Sequence, residues 1–347
     1  MFDESTIMIR ETHHFENEAD WLAARKRFVT STEAAALFGA GAFVKTAFEL
    51  FHLKAGTVTA PEFSANDRVK WGVRLESAIA HGIAEDLGLV VEPFKAFMTM
   101  PEFGLAASFD FAIVGLVEGA DENEAHRMFR EHGKGVLEIK NIDGLQFKRG
   151  WLDDGETMEA PIQYEMQIQT QMEVSDLNWG ILAPLVGGNT PKPIIRIRDR
   201  DAGEAIRTKA KQLWRDIEIG REPAPDFTKD GATIAQVYRD NDGSSVDLSD
   251  NARLAELCRA YKAAGADEKA AKERKDAAKA EILTIVKAAK AIAYQGGKIS
   301  AGTTKESFRA YWRDESERIS ISLSTVKGAQ IEATVPAFRA MRITEAA

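Results

Sequence analysis

The chain has one cysteine, Cys258, in 347 residues. It can build neither an intrachain disulfide nor a cysteine-rich zinc site, and a reduced, cytoplasmic setting is expected. No stretch approaches eighteen uninterrupted apolar residues, so no membrane span is expected. The first twenty residues, MFDESTIMIRETHHFENEAD, lack the basic segment and apolar core of a secretory signal. There is no repeat of fixed period. An excess of positive charge is also missing. The formal net charge of −9 argues against coating nucleic acid by bulk charge. It leaves room for a DNA enzyme that gathers Lys and Arg along one channel, or for carboxylates gathered around a cation.

What remains is globular in character, with 44% hydrophobic and 29% charged residues, and long enough for one large domain plus an appendage. Residues 20–38 suggest a helix, a break at Thr30-Ser31-Thr32, and a second helix opened by Glu33. Further helices are expected over 45–53 and 71–89, where Leu75, Ile79 and Ile83 recur at helical spacing. Near residue 90 the period changes. LVVEPF, FMTM and GLAASFDFAIVG (104–115) suggest strands, and GVLEIKN (135–141) is the next. The charged stretch between the last two suggests a hairpin connection or small excursion. A helix over 158–174 with Pro161 near its start, strands over 179–188 and 193–198, and an amphipathic helix over 203–220 complete the core. This is an α/β (α+β) pattern, a central mixed sheet flanked by helices. The expected domains are a core over 1–226, a polar linker over 227–249, and a helical and β-hairpin extension over 250–347. Within that extension, an Ala/Lys/Glu-rich stretch suggests a long helix, or a helical hairpin pivoting near Gly265, and KISAGTTKESFRAYWR suggests a hairpin of strands.

GVLEIKN carries the chemistry. On a strand, Glu138 and Lys140 share one face and Ile139 takes the other. An isolated E-x-K is most often a structural ion pair at a sheet edge. Here Asp110 lies upstream, on a neighbouring strand by this reading. Hard divalent cations favour one or two carboxylates with water and phosphate oxygen, and a lysine beside them offsets charge building at phosphorus. Asp110, Glu138 and Lys140 thus make the D…E-x-K arrangement of metal-dependent phosphodiester cleavage. Glu76 sits mid-helix and must face water or a partner. Gln167 and Gln171, four apart, share a helix face, and Gln169 lies on another; at least one of the three is expected to point into a site.

Several other features carry no chemistry. His13-His14 lie on a polar segment, and His52 and His81 lack neighbouring ligand types. GAGAF (39–43) is followed by no G-K-[ST] and is no phosphate loop. Cys258 has no histidine partner in its sequence context.

Five motifs in order resemble the lambda-exonuclease-like (YqaJ-like) viral recombinase nucleases of the PD-(D/E)XK superfamily. They are W-x-x-x-R with T-S-T-E-A (Trp21, Arg25, Thr30 to Ala34), W-G-x-x-x-E (Trp71 to Glu76), S-x-D (Ser108 to Asp110), L-E-x-K (Leu137 to Lys140) and Q-x-Q (Gln167 to Gln169). They span about residues 20–220. Phe109 stands where the superfamily has proline, a position that bears no ligand. The resemblance implies a PD-(D/E)XK nuclease core with Asp110, Glu138, Lys140 and Glu76 as catalytic residues. A Mg2+ ion, or Mn2+, would be held by Asp110, Glu138, the Ile139 carbonyl and, through water, Glu76. Arg25, Thr32, Ser108 and Gln167 would surround a terminal 5′-phosphate, which suits a guanidinium with hydroxyl and amide donors. Thr32 could equally be only a helix cap, and Arg25 one member of a basic turn. The family further implies 5′-to-3′ digestion of duplex DNA ends, 5′-phosphate products and 3′ overhangs. It also implies a ring-shaped homotrimer and a single-strand annealing protein as partner, in a phage or prophage setting within a bacterial cytoplasm. Two alternatives stand beside it. One is an endonuclease or single-strand exonuclease of the same superfamily; the other is a catalytically silent DNA-binding or assembly protein.

Overall fold

The computed structural model describes residues 8–59, 67–155 and 157–289, and beyond them the strand segments 291–294, 297–300, 307–311, 318–319, 330–335 and 342–345. The chain divides into two compact units, Met1–Asp242 and Gly243–Ala347.

In the first unit, β1 (Glu11–His13) precedes α1 (Glu18–Lys26), whose Asn17 cap accepts from the Asp20 N–H. β2 (Val29–Thr30) leads into a 3-10 helix, Ala34–Phe38, in place of the expected second α-helix. Three successive alanines pack there with no exposed surface to spare, at 0%, 1% and 0%. α2 (Ala47–Ala55) is capped by Thr46, and α3 (Asp67–Leu87) covers the W-G-x-x-x-E motif. β3 (Leu89–Pro93) and β4 (Phe97–Met100) lie where the sequence places them.

The stretch 104–115 is a correction. It is two strands, β5 (Leu105–Ser108) and β6 (Phe111–Leu116), separated at Phe109-Asp110. β5 belongs to a four-stranded sheet ordered β1-β4-β5-β2, and β6 to a second sheet. Phe109 causes the switch: it is buried and stacks on Phe94 with centroids 4.2 Å apart. Asp110 is therefore at a corner between sheets and not within a strand.

α4 (Glu124–His132), capped by Asn123, fills the charged excursion. After β7 (Gly135–Ile142) come α5 (Gly144–Gly150), the short pair β8 (Leu152–Asp153) and β9 (Met158–Glu159), and α6 (Ile162–Ser175). β10 (Trp179–Val186), β11 (Thr190–Pro191), β12 (Ile194–Ile197) and α7 (Arg200–Glu218) follow. The second sheet runs β11-β10-β7-β6-β3, with β12 also on β10. β7 pairs parallel with β10 and antiparallel with β6, so the sheet is mixed, as expected. One face buries Leu137, Ile139 and Ile181 against Ile79 and Ile83 of α3. The other buries Val136 and Leu182 with Ile168 and Met172 of α6 and Ile206 of α7. The period of two in β7 thus places Glu138 and Lys140 on the α6 side.

α7 lies against α6 through a buried ion cluster. Glu173 on α6 is fully buried and accepts two hydrogen bonds from Arg198 at 2.9 and 2.7 Å and one from Arg207. Gly203 leaves room for it, since a Cβ there would collide with Glu173 Oε2. Gly203→Ala is expected to cost about 1–3 kcal/mol in a urea unfolding curve, because Glu173 is held by its arginines and cannot yield.

The first unit ends past the expected boundary at 226. α8 (Gly231–Val237) lies within the stretch read as linker. Asp230 is fully buried, accepts from Thr46 Oγ1 at 2.6 Å and from the Asp226 N–H at 2.7 Å, and ties this helix to α2. Of the expected linker, only residues 243–249 lie outside the unit. In the second unit α9 (Ala252–Val286) is one helix that runs through Gly265 without a pivot. β13 (Ala291–Tyr294), β14 (Gly297–Ser300) and β18 (Arg342–Glu345) form one sheet. β16 (Arg318–Ile319), β15 (Ser307–Tyr311) and β17 (Gln330–Val335) form another. The hairpin expected over KISAGTTKESFRAYWR is not formed by its described strands, since β14 and β15 belong to different sheets; residues 301–306 and 312–313 lie outside the described residues.

Candidate active site

β7 sits mid-sheet, and its ladder with β6 stops at Phe111–Leu137. Two residues on, the Ile139 N–H has no strand carbonyl to meet on that side. Asp110 Oδ2 accepts it at 2.8 Å, which fixes the corner residue beside β7. Glu138 is 2% exposed. Its Oε1 accepts from the Lys140 ammonium and from Gln167 Nε2 at 2.5 Å, and its Oε2 from Gln171 Nε2 at 2.6 Å. A carboxylate offers about four acceptor directions, so one remains. Lys140 stands over the Tyr164 ring, 5.3 Å from its centroid. Glu76, half-buried on α3, faces the same charges.

Three carboxylates share this place with one ammonium. Burial first, and then the Glu138 and Glu76 charges, push the Asp110 carboxyl up to about 8, against the opposing pull of Lys140 and the Ile139 N–H. Burial and Glu138 likewise hold the Glu76 carboxyl above the usual range. Burial works against the Lys140 ammonium, but Glu138 and Asp110 outweigh it and hold its pKa above the usual lysine value. The cluster is thus short of positive charge. Among the described residues no group of three or more His, Cys, Asp or Glu closes around a single ion position. The donor set fits a hard cation held from one side: two carboxylates and the Ile139 carbonyl, with the remaining positions left to water and phosphate oxygen.

A second cluster adjoins it. Arg25 lies over the Trp21 ring at 4.6 Å and donates to Thr32 Oγ1 at 3.2 Å and Thr30 Oγ1 at 3.4 Å. Trp21 Nε1 donates to Ser108 Oγ at 3.2 Å. Thr32 is exposed and bonds Arg25 and Thr30. Glu33 reaches back to the Thr30 N–H and hydroxyl, both at 2.9 Å, the reciprocal half of a capping box. Lys54 pairs with Glu33 at 2.8 Å and donates to the Arg25 carbonyl at 3.2 Å. Arg25 therefore has a supporting pair beneath it, and its open side bears hydroxyls.

Asp110, Glu138, Lys140 and Glu76 come together, as do Arg25, Thr32 and Ser108. Gln167 is placed on Glu138 Oε1, at the acidic cluster. Gln169 is turned away: it donates to the Ile197 carbonyl at 2.9 Å and accepts from the Asp199 N–H at 2.8 Å. Sequence reading counted Gln171 among three glutamines of which at least one should enter a site, but gave it no role of its own. Lys54 gave no signal at all, being one basic residue at the end of a largely apolar helix.

The sequence pattern of the YqaJ-like viral recombinase domain matches residues 20–178, which contain both clusters. No curated protein matches the chain significantly. Among solved structures, an alkaline exonuclease from Laribacter hongkongensis is similar at 20% identity, covering 62% of this chain and 98% of that one, with a TM-score of 0.42. Its complex with dAMP matches at 21% identity with the same coverage and a TM-score of 0.41. A phage-related exonuclease from Haemophilus somnus 129PT is similar at 12% identity, covering 60% of this chain and 91% of that one, with a TM-score of 0.33. No helix among the described residues is long and apolar enough to cross a membrane.

Proposed function

We propose, from the match of residues 20–178 to the YqaJ-like viral recombinase domain, that the chain is a Mg2+-dependent exonuclease acting on the ends of double-stranded DNA. The observation that carries this reading is the acidic cluster short of positive charge, with Lys140 beside it and the Arg25–Thr32 cluster adjoining through Trp21 and Ser108. Asp110, Glu138 and the Ile139 carbonyl would hold the cation, with Glu76 completing the acidic site. A cation bound there would supply positive charge to a scissile phosphate and acidify water. Lys140 keeps its proton at neutral pH, so it acts as a fixed charge against the negative oxygens of the transition state and not as a base. Arg25, Thr32 and Ser108 receive the terminal 5′-phosphate and set which bond reaches the acidic cluster. Digestion from the 5′ end, 5′-phosphate products, 3′ overhangs, a homotrimeric ring and delivery to a single-strand annealing protein belong to the same proposal and follow from the family resemblance.

Arg25 provides the test against the endonuclease alternative. Arg25→Ala is expected to raise KM for a 5′-phosphorylated linear duplex about tenfold or more, in keeping with loss of a charge-assisted contact, with a smaller change in kcat. The preference for phosphorylated over unphosphorylated ends should vanish. Equal digestion of closed circles and linear duplex by the unsubstituted protein would favour the endonuclease.

A further inference from the structure

Gln171 is fully buried, and its Nε2 has two hydrogens to give. One goes to Glu138 Oε2 at 2.6 Å and the other to the Ser108 carbonyl at 2.9 Å. Its Oε1 is buried without a partner. The amide cannot be reversed, because that would aim its oxygen at two acceptors. A buried polar group left half-satisfied is costly, and a hydrophobic side chain would fill the same helix position without that cost. Its neighbours Ile168 and Met172 do so at 0% exposure each.

Resting on the nuclease reading, we propose that Gln171 is a positioning residue that aims Glu138 at the cation. It orients the carboxylate by a neutral donor. A lysine or arginine there would orient it too, but would cancel the negative charge that draws the cation. Because the same nitrogen also grips the Ser108 carbonyl at the end of β5, it fixes Glu138 relative to the strand end that leads to Asp110. Glu138 lies on the second sheet and Ser108 ends β5 of the first, and Gln171 spans the two from α6. Hydrogen-bonding partners behind a ligating carboxylate contribute about 10–100-fold to metal affinity or activity.

The test is Mn2+ binding to the full chain without DNA, followed by the EPR signal of the free ion, together with Mg2+-dependent cleavage of a linear duplex. Gln171→Met, close in volume, is expected to weaken Mn2+ binding about tenfold and to shift the Mg2+ dependence of cleavage to higher concentration. KM for the DNA should change little. Gln171→Asn keeps the amide but is one methylene short, and should show the same loss; it serves if the methionine variant does not fold. Thr170→Val, on the same helix turn and bonded only to the Met166 carbonyl at 2.6 Å, should lose stability but not Mn2+ affinity. Variants at 171 with unchanged Mn2+ affinity and Mg2+ dependence overturn the assignment of Gln171. So does Thr170→Val if it weakens Mn2+ binding as much. An unsubstituted protein that neither binds Mn2+ nor cleaves overturns the nuclease reading itself.

Discussion

Lys140→Met is expected to lower the single-turnover rate of DNA cleavage about 10²–10³-fold, the usual loss when one preorganised charge is removed from a developing oxyanion. Methionine keeps most of the stem that packs toward Tyr164, so the melting temperature should move little. The loss falls on chemistry and not on cation binding. Among the described residues, Lys140 is the positive group that acts on both raised carboxyls, Asp110 and Glu76, and its removal leaves the site more negative. Mn2+ affinity in the variant should therefore equal or exceed that of the unsubstituted protein, while the rate collapses. A variant that cuts at the original rate would remove Lys140 from the mechanism; one that loses both rate and Mn2+ binding would make it a scaffold for Glu138 instead.

Asp110→Asn is expected to stop cleavage and at the same time stabilise the cation-free protein at pH 8. The carboxyl sits at about 8 in the folded chain, against an ordinary 3.8. Its folded value is raised, so below about pH 4 both states hold the proton and the group has no effect on stability. Between there and pH 8 the folded state keeps a proton that the unfolded state has lost, and stability falls as pH rises. Asparagine does not ionise and its Oδ1 can still accept the Ile139 N–H. Urea unfolding without divalent cation should show the unsubstituted protein losing stability from pH 5 to 8 more steeply than the variant, with the variant the more stable at pH 8. A variant less stable at pH 8 would mean that the corner needs the carboxylate for its shape.

Much of the site was legible because it lies on regular elements. The alternation in GVLEIKN put Glu138 and Lys140 on one face, and the i, i+4 spacing put Gln167 and Gln171 together. The corner at Asp110 was not legible. SFDFAIV alternates as a strand does, and only the stacking of Phe109 on Phe94, a contact between distant residues, divides it between two sheets. The excess of core beyond 226 was hidden for a similar reason. Its segment is polar, and what holds it is the buried bond between Asp230 and Thr46, 184 residues apart. Local period sees neither. The support beneath Arg25 shows the same limit, since the Lys54–Glu33 pair joins two helical segments whose surfaces look ordinary in sequence.

The central claim is that the acidic cluster and the Arg25 cluster together make a cation-dependent exonuclease that starts at duplex ends. The direct measurement is digestion of a linear duplex bearing a 5′-phosphate at one end only, internally labelled near each end, with Mg2+ or with EDTA. A covalently closed circle is run beside it. Mg2+-dependent release of nucleotides from the phosphorylated end, with the circle intact and nothing released in EDTA, is the predicted result. Digestion that proceeds in EDTA, or that opens the circle as fast as it shortens the linear duplex, would contradict it.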